Sequence, residues 1–362
     1  MRVALVHDWL NQVGGAEDVL ETLVRMFPQA PIYTSIYWRE GMPAAYQTWD
    51  IRPSWMDRLP GIHHHHQPYL PLYPFSFAQT DLSVYDLVFS NKSGFCHGVR
   101  TGTTPHICYC LTPTRYVWDF EGYSQREALS PAIKAAVRPL VRLLRRWDYR
   151  AARRVTHFIA ISRAVQERIR RYYRRSADII YPPVETERFH PIPNPDDYYL
   201  IVSRLVPYKR IDLAIEAFNQ LRLPLVIAGD GRDRSALEVL AGPTITFLGY
   251  VPEEELPALF AGCRAYILPG EEDFCIAPVQ AQAAGRPVIA YGAGGALDTV
   301  VEGVTGVFFR PQTAEALAAA VRSFDADWVD PRACRVNAER FATHIFMARV
   351  QQFIESKVHA WN

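Results

Sequence analysis

No stretch of this 362-residue chain comes near the ~18–20 consecutive apolar residues that a membrane-spanning helix needs. An excess of charge of one sign is missing too. Lys+Arg number 39 and Asp+Glu 38, a formal charge of +1, which argues against bulk nucleic-acid binding. Cysteine is sparse, and the six present (Cys96, Cys108, Cys110, Cys263, Cys275, Cys334) fit no zinc spacing. Cys108 and Cys110 sit in an apolar, strand-like run, where cysteine is usually a small core residue. The N-terminus, Met1-Arg2-Val3-Ala4-Leu5-Val6-His7-Asp8, lacks the apolar stretch and cleavage site of a signal peptide and reads as a buried strand. The expectation is a reduced, cytoplasmic protein.

What is present is ordinary globular composition, 49% hydrophobic and 21% charged, at a length that suits two domains. Short apolar runs alternate with helical patterns, the rhythm of parallel sheets covered by helices on both faces. Strands are expected at 2–7, 85–90, 106–111, 156–161 and 178–181. A helix at 163–173 carries Val165, Ile169 and Tyr172 on one face. Strands resume at 199–203, 225–228, 245–248, 265–268 and 287–290, and 337 onwards reads as one long helix. The Pro- and Asp-rich 191–197 stretch between them reads as exposed linker. The organisation expected is α/β, with two Rossmann-like doubly wound domains facing each other across a cleft. Its bounds are a first domain at 1–183, a linker at 184–198, a second domain at 199–340, and a terminal helix at 341–362 packing back on the first domain.

Doubly wound sheets bind ligands at the carboxyl ends of their strands, so the turns there matter most. In the first turn, Gly14 and Gly15 precede a helix, where a backbone can approach a ligand closely; a plain tight turn reads equally well. The full Gly-x-Gly-x-x-Gly spacing of a dinucleotide site is absent. The turn at 203–212 sets Arg204 and Lys209 in one loop, a pair suited to a diphosphate, with a solvated surface loop as the competing reading. Arg210 there reads as solvent-facing. A third turn, Gly270-Glu271-Glu272-Asp273-Phe274-Cys275-Ile276, leads into a helix closed by Gly285. Its acids are either helix-dipole partners or carboxylates for sugar hydroxyls.

In order along the chain stand Val-His-Asp-Trp-Leu (6–10) with Gly-Gly-Ala-Glu (14–17), Tyr-Cys-x-Thr-Pro-x-Arg-Tyr-x-Trp-Asp (109–119) and Ile-Tyr-Pro-Pro-Val (180–184). Ser-Arg-Leu-Val-Pro-Tyr-Lys-Arg-Ile-Asp (203–212) and Glu-Glu-Asp-Phe (271–274) follow. With these motifs the chain resembles glycosyltransferase family 4, a retaining group with the GT-B fold. It is most similar to bacterial GDP-mannose-dependent mannosyltransferases of O-antigen and exopolysaccharide synthesis. The resemblance implies that Arg204 and Lys209 hold the donor diphosphate and that Gly14 and Gly15 form the loop closing over phosphates and sugar. It implies that Glu272 lies close to the transferred sugar, with the backbone of Phe274, Cys275 and Ile276 running past its hydroxyls and the distal phosphate. Asp8, Leu111 and Arg115 fall in segments on the acceptor side. Chemistry without a metal or other cofactor is implied, the nucleotide sugar (GDP-mannose) being co-substrate, and the acceptor is a saccharide, free or lipid-linked.

Three positions depart from the family pattern. Gln280 closes the Glu-x7-Glu motif where a ribose-holding Glu is usual, Leu111 stands where a His is frequent, and Cys275 replaces a common Gly. They motivate the alternative of a catalytically weakened sugar-nucleotide-binding protein; a sugar-nucleotide epimerase of similar architecture is a second. Asp325-Ala-Asp327 matches a metal-binding Asp-x-Asp only superficially, and a role in metal binding is not expected.

His63–His66 read as a surface loop, since consecutive residues cannot all converge on one ion. Residues 134–154 carry eight cations against one acid, Asp148, with Leu140, Leu143, Leu144, Trp147 and Ala151 at helical spacing; Arg170, Arg171, Arg174 and Arg175 extend the charge. Such a helix is either packed with a solvated basic face or docks peripherally on anionic lipid at the inner face of a membrane.

Overall fold

A computed structural model of the chain describes residues 1–126, 130–325 and 329–358. It divides into two compact units, Met1–Tyr181 together with the chain from Met347 onwards, and Pro182–Phe346. The first unit holds β1 (Val3–His7), β2 (Ile32–Thr34), β3 (Ile51–Pro53), β4 (Leu87–Lys92), β5 (His106–Cys110), β6 (His157–Ala160) and β7 (Ala177–Ile179). They form one parallel sheet in the order β3-β2-β1-β4-β5-β6-β7. The second unit holds β8 (Tyr199–Val202), β9 (Leu225–Ala228), β10 (Ile245–Gly249), β11 (Ala265–Leu268), β12 (Val288–Tyr291) and β13 (Gly306–Phe309). Its parallel order is β10-β9-β8-β11-β12-β13.

The central strands are apolar runs because a parallel sheet is buried on both faces. Every residue of β1, β5 and β11 is buried. The helix Gly15–Met26 turns Val19, Leu20 and Leu23 inwards. The helix Arg163–Tyr173 covers the expected span; the Ser162 hydroxyl accepts from the Val165 N–H to start it, and Arg174 ends it in the left-handed region. The second core gathers Ile201, Ile227, Ile267 and Ile289 from the sheet with Phe218 and Leu317 from helices.

Periodicity missed β2 and β3, of three residues each, and β13, which opens on Gly306 and is only half-buried at its centre. The long helix expected from 337 is two, Pro331–Glu339 and Thr343–Val358. The break is made by β-type pairing: the Val184 N–H donates to the Phe341 carbonyl and the Thr343 N–H to the Val184 carbonyl. The later helix passes from the second unit into the first at Met347, where Val350, Phe353 and Ile354 are buried and Phe353 meets the His157 ring edge-on at 6.0 Å. Of the Asp-x-Asp, Asp327 lies outside the described residues.

Residues 191–197 of the expected linker are all exposed, but the segment does not stand apart from the second unit. Residues 184–198 belong to the second unit and are bonded to it: Arg286 donates to the Ile192 carbonyl at 2.7 Å and the Asp196 N–H to the Gly262 carbonyl at 2.8 Å. Phe189 is 1% exposed and packs on Phe260 at 5.6 Å between ring centroids. Proline supplies no N–H, but its carbonyls and neighbours still dock. Phe189→Ala is therefore expected to lower the stability of the second unit by about 3–5 kcal/mol, the scale for emptying a buried phenyl site. Chemical denaturation measures it, and a change near zero would restore the free-linker reading.

Candidate active site

In both sheets the first strand lies inside and the chain builds outwards in two directions, so β1/β4 and β8/β11 are topological switch points, where open α/β sheets form ligand crevices. The turns singled out in the sequence emerge from these strands. After β8, Arg204 is exposed and its guanidinium has no partner among the described residues. Lys209, ending the turn Pro207–Lys209, is mostly buried and forms an ion pair with Glu272, which follows β11. Burial works against the Lys209 charge, but the Glu272 carboxylate more than offsets it and raises the pKa above the ordinary lysine value. Arg210 is half-buried rather than free in solvent, in the left-handed region and paired with Asp212 at 3.1 Å.

Backbone contacts bring these loops together. A Cβ on Gly270 would fall 2.7 Å from the Lys209 carbonyl oxygen, so only glycine allows the approach. The Gly295 N–H donates to the Glu272 carbonyl at 2.8 Å, which fixes the loop from its other side. Phe274 is buried against Phe341, ring centroids 5.5 Å apart. Cys275 sits at φ 66°, a conformation natural to glycine and costing a side-chain-bearing residue ~1–2 kcal/mol. Its thiol is pushed up to about 12 by burial and by Glu272, with Lys209 acting in the opposite sense, so it stays protonated. Ile276 is half-buried at the start of the helix Ala277–Ala283. Gln280, in that helix, is half-buried with no side-chain partner among the described residues, whereas Gln282 is buried and bonded to Asn337 and to the Thr299 carbonyl. Beyond β10, Tyr250 is 77% exposed.

In the first unit Gly14 and Gly15 are exposed at the start of the helix Gly15–Met26. Asp8, expected on the acceptor side, is engaged with the backbone. It is 1% exposed, and its carboxylate accepts the backbone N–H groups of Ser93, Gly94, Phe95 and Cys96 at 2.6–2.8 Å and the Ser93 hydroxyl at 3.3 Å. Both oxygens are committed to tying the turn after β1 to the turn after β4. Leu111 is half-buried just past β5, its N–H on the Lys92 carbonyl at 2.8 Å, and half-buried Arg115 opens the short helix Arg115–Trp118.

Sequence reasoning missed the buried polar cluster beside that segment. Lys92, 0% exposed, donates to the Thr112 carbonyl and the Thr114 hydroxyl, both at 3.2 Å. Asp148, also 0% exposed, accepts from Trp118 Nε1 at 2.6 Å, the Tyr173 hydroxyl at 2.7 Å and the Thr114 hydroxyl at 3.2 Å. The signal was available: Asp148 stands four residues after Leu144 and three before Ala151, on the buried stripe of the helix Pro131–Ala152. The histidine run lies at the surface, as expected, with His64 and His65 exposed, though its side chains find partners. His63 meets Asp57 at 2.9 Å, His64 lies edge-on to Trp38, and His66 contacts Trp9 and Tyr73. Among the described residues no three His, Cys, Asp or Glu side chains are gathered to hold an ion.

Two parallel doubly wound units with chemistry-bearing turns at their switch points have the GT-B fold of glycosyltransferases. The family models agree: "Glycosyltransferase Family 4" matches residues 13–188 and "Glycosyl transferases group 1" residues 184–341. The chain belongs to the family 4 glycosyltransferases. It is 34% identical over 243 residues to a GDP-mannose-dependent alpha-mannosyltransferase of Mycolicibacterium smegmatis, 65% of this chain and 62% of that protein. A glycogen synthase of Pseudomonas aeruginosa is 34% identical over 145 residues, 37% of this chain and 28% of that one. Of solved structures, sucrose-phosphate synthase from Thermosynechococcus elongatus aligns with TM-score 0.76 at 17% identity, covering 99% of this chain and 100% of that one. Anabaena HepE in complex with UDP-glucose aligns with TM-score 0.73 at 18% identity, covering 98% and 100%. These two likenesses speak for the fold.

The Asp8 geometry carries its own test. Asp8→Asn replaces one acceptor oxygen with an N–H₂ group facing backbone donors, and is expected to cost about 2–3 kcal/mol of stability. Thermal and urea unfolding read it; an unchanged stability would return Asp8 to the acceptor side.

Proposed function

We propose that this chain is a retaining, metal-independent hexosyltransferase moving mannose from GDP-mannose to a saccharide acceptor carried on a lipid. The carrying observation is the switch point of the second sheet, where an unpartnered Arg204 and the Lys209–Glu272 pair share one edge. GDP-mannose is favoured by the names of relatives, including an alpha-(1-6)-phosphatidylinositol monomannoside mannosyltransferase of Mycolicibacterium smegmatis, 32% identical over 176 residues, 40% of this chain and 46% of that one. A nucleotide-sugar donor is also what the Anabaena neighbour binds.

In this reading the bond from sugar C1 to the diphosphate oxygen breaks and its electron pair stays on the diphosphate, where Arg204 and Lys209 meet the charge. The acceptor hydroxyl oxygen bonds to C1 and its proton passes to the departing diphosphate, so GDP leaves and no cofactor is consumed. Gln280 supplies one acceptor and one donor to the ribose in place of a carboxylate. Neutralising Arg204 or Lys209 to Ala is expected to weaken nucleotide-sugar binding about 10–100-fold each, the range for a charge-assisted bond. Calorimetry with a panel of nucleotide sugars, with nucleotide release as the turnover readout, tests this. Unchanged affinity in the double variant would end the assignment, and tight binding without release would favour the weakened binding protein that Gln280 and Leu111 motivate.

Among the described residues no helix is long and apolar enough to cross a membrane. The helix Pro131–Ala152 buries Leu144, Asp148, Ala151 and Ala152 while Arg138, Arg142, Arg146, Arg150 and the apolar Ile133 and Leu143 stay exposed. Arg175 departs from the basic surface: it bonds the Ala152 and Thr156 carbonyls at 3.0 and 2.9 Å. The remaining face supports peripheral contact with anionic lipid at the cytoplasmic side, each cation adding ~1 kcal/mol. Co-sedimentation with vesicles is expected to require anionic phospholipid, to weaken with salt and to drop in an Arg142→Glu, Arg146→Glu variant; absence of binding at low salt would remove this contact.

A further inference from the structure

The cation expected to hold the donor diphosphate is paired within the protein itself. The Lys209 ammonium lies on the Glu272 carboxylate, with side chains only 16% and 9% exposed. The arrangement is built by the backbone. Gly270 lets its own loop touch the Lys209 carbonyl, and the Gly295 N–H holds the Glu272 carbonyl, so the carboxylate is aimed at Lys209 by the loops on both sides. Arg204, exposed in the same turn, is without an ion pair among the described residues.

We propose that Glu272 competes with the nucleoside diphosphate for Lys209 and thereby makes the site prefer a sugar-bearing donor over the bare diphosphate product. This rests on the donor reading above. A diphosphate that takes Lys209 strips Glu272 of its cation in nearly water-free surroundings, which is costly unless new donors reach the carboxylate. The hydroxyls of a sugar attached to the diphosphate are such donors; a nucleoside diphosphate alone has none at that end. Once the sugar has gone, the carboxylate regains Lys209 and the diphosphate is expelled. Glu272 thus acts on product release as well as on the sugar.

The experiment compares GDP and GDP-mannose binding by calorimetry in the full chain, as wild type, Glu272→Gln and Glu272→Asp. Wild type is expected to bind GDP-mannose more tightly than GDP. Glu272→Gln is expected to bind GDP about tenfold more tightly than wild type, about 1.4 kcal/mol, and GDP-mannose no more tightly, so the preference collapses. Glu272→Asp keeps the charge but falls one methylene short of Lys209, and its GDP affinity is expected between the two. Should the Gln variant not fold, the Asp variant decides, and a GDP affinity equal to wild type overturns the proposal. Unchanged or weaker GDP binding in Glu272→Gln, with wild type binding GDP normally, overturns the competition alone. Failure of wild type to bind either GDP or UDP would bring down the donor reading and this inference with it.

Discussion

A parallel sheet begun in its middle has to send neighbouring strands to helices on opposite faces, and the crevice this leaves is the constraint on which everything chemical here depends. In the second unit it sets the turns after β8 and β11 side by side, close enough for Lys209 to reach Glu272. Contact at that range needs bare backbone, which accounts for Gly270 better than any turn preference does.

The first unit meets the same constraint and resolves it otherwise. There the acid after the first strand, Asp8, is spent on four consecutive backbone N–H groups after β4, and the turn is closed upon itself. One carboxylate at each switch point thus has a different fate. Asp8 is engaged by four backbone donors, while Glu272 is paired with the side chain of Lys209. The second unit is consequently the better candidate for binding charge.

The alternation of apolar strands and amphipathic helices was readable because both-face burial makes parallel strands uniformly apolar, and the helix at 163–173 is delimited by Ser162 and by its own stripe. The clustering of Arg204, Lys209 and Glu272 on one edge followed from the rule that strand-to-helix turns converge there. What stayed hidden depends on partners distant in sequence. No local pattern says that Val184 will pair with Phe341 and Thr343 and split a helix, or that Asp8 will be saturated from 93–96. Lys92 and Asp148 were disguised by residue type, since charged side chains are rarely expected in a core, though the position of Asp148 on a buried stripe was visible. Proline-rich composition marked the exposed 191–197 but not its attachment to the second unit, because it reports missing donors rather than missing contacts.

The passage of the helix Thr343–Val358 from one unit to the other has a temporal meaning. Synthesis delivers residues 1–181 before the second unit, but the buried Val350, Phe353 and Ile354 that pack into the first unit emerge after it. The earlier-made sheet therefore leaves the ribosome with His157 and its neighbours uncovered, and gains its final packing only after the whole of the later-made one has been translated.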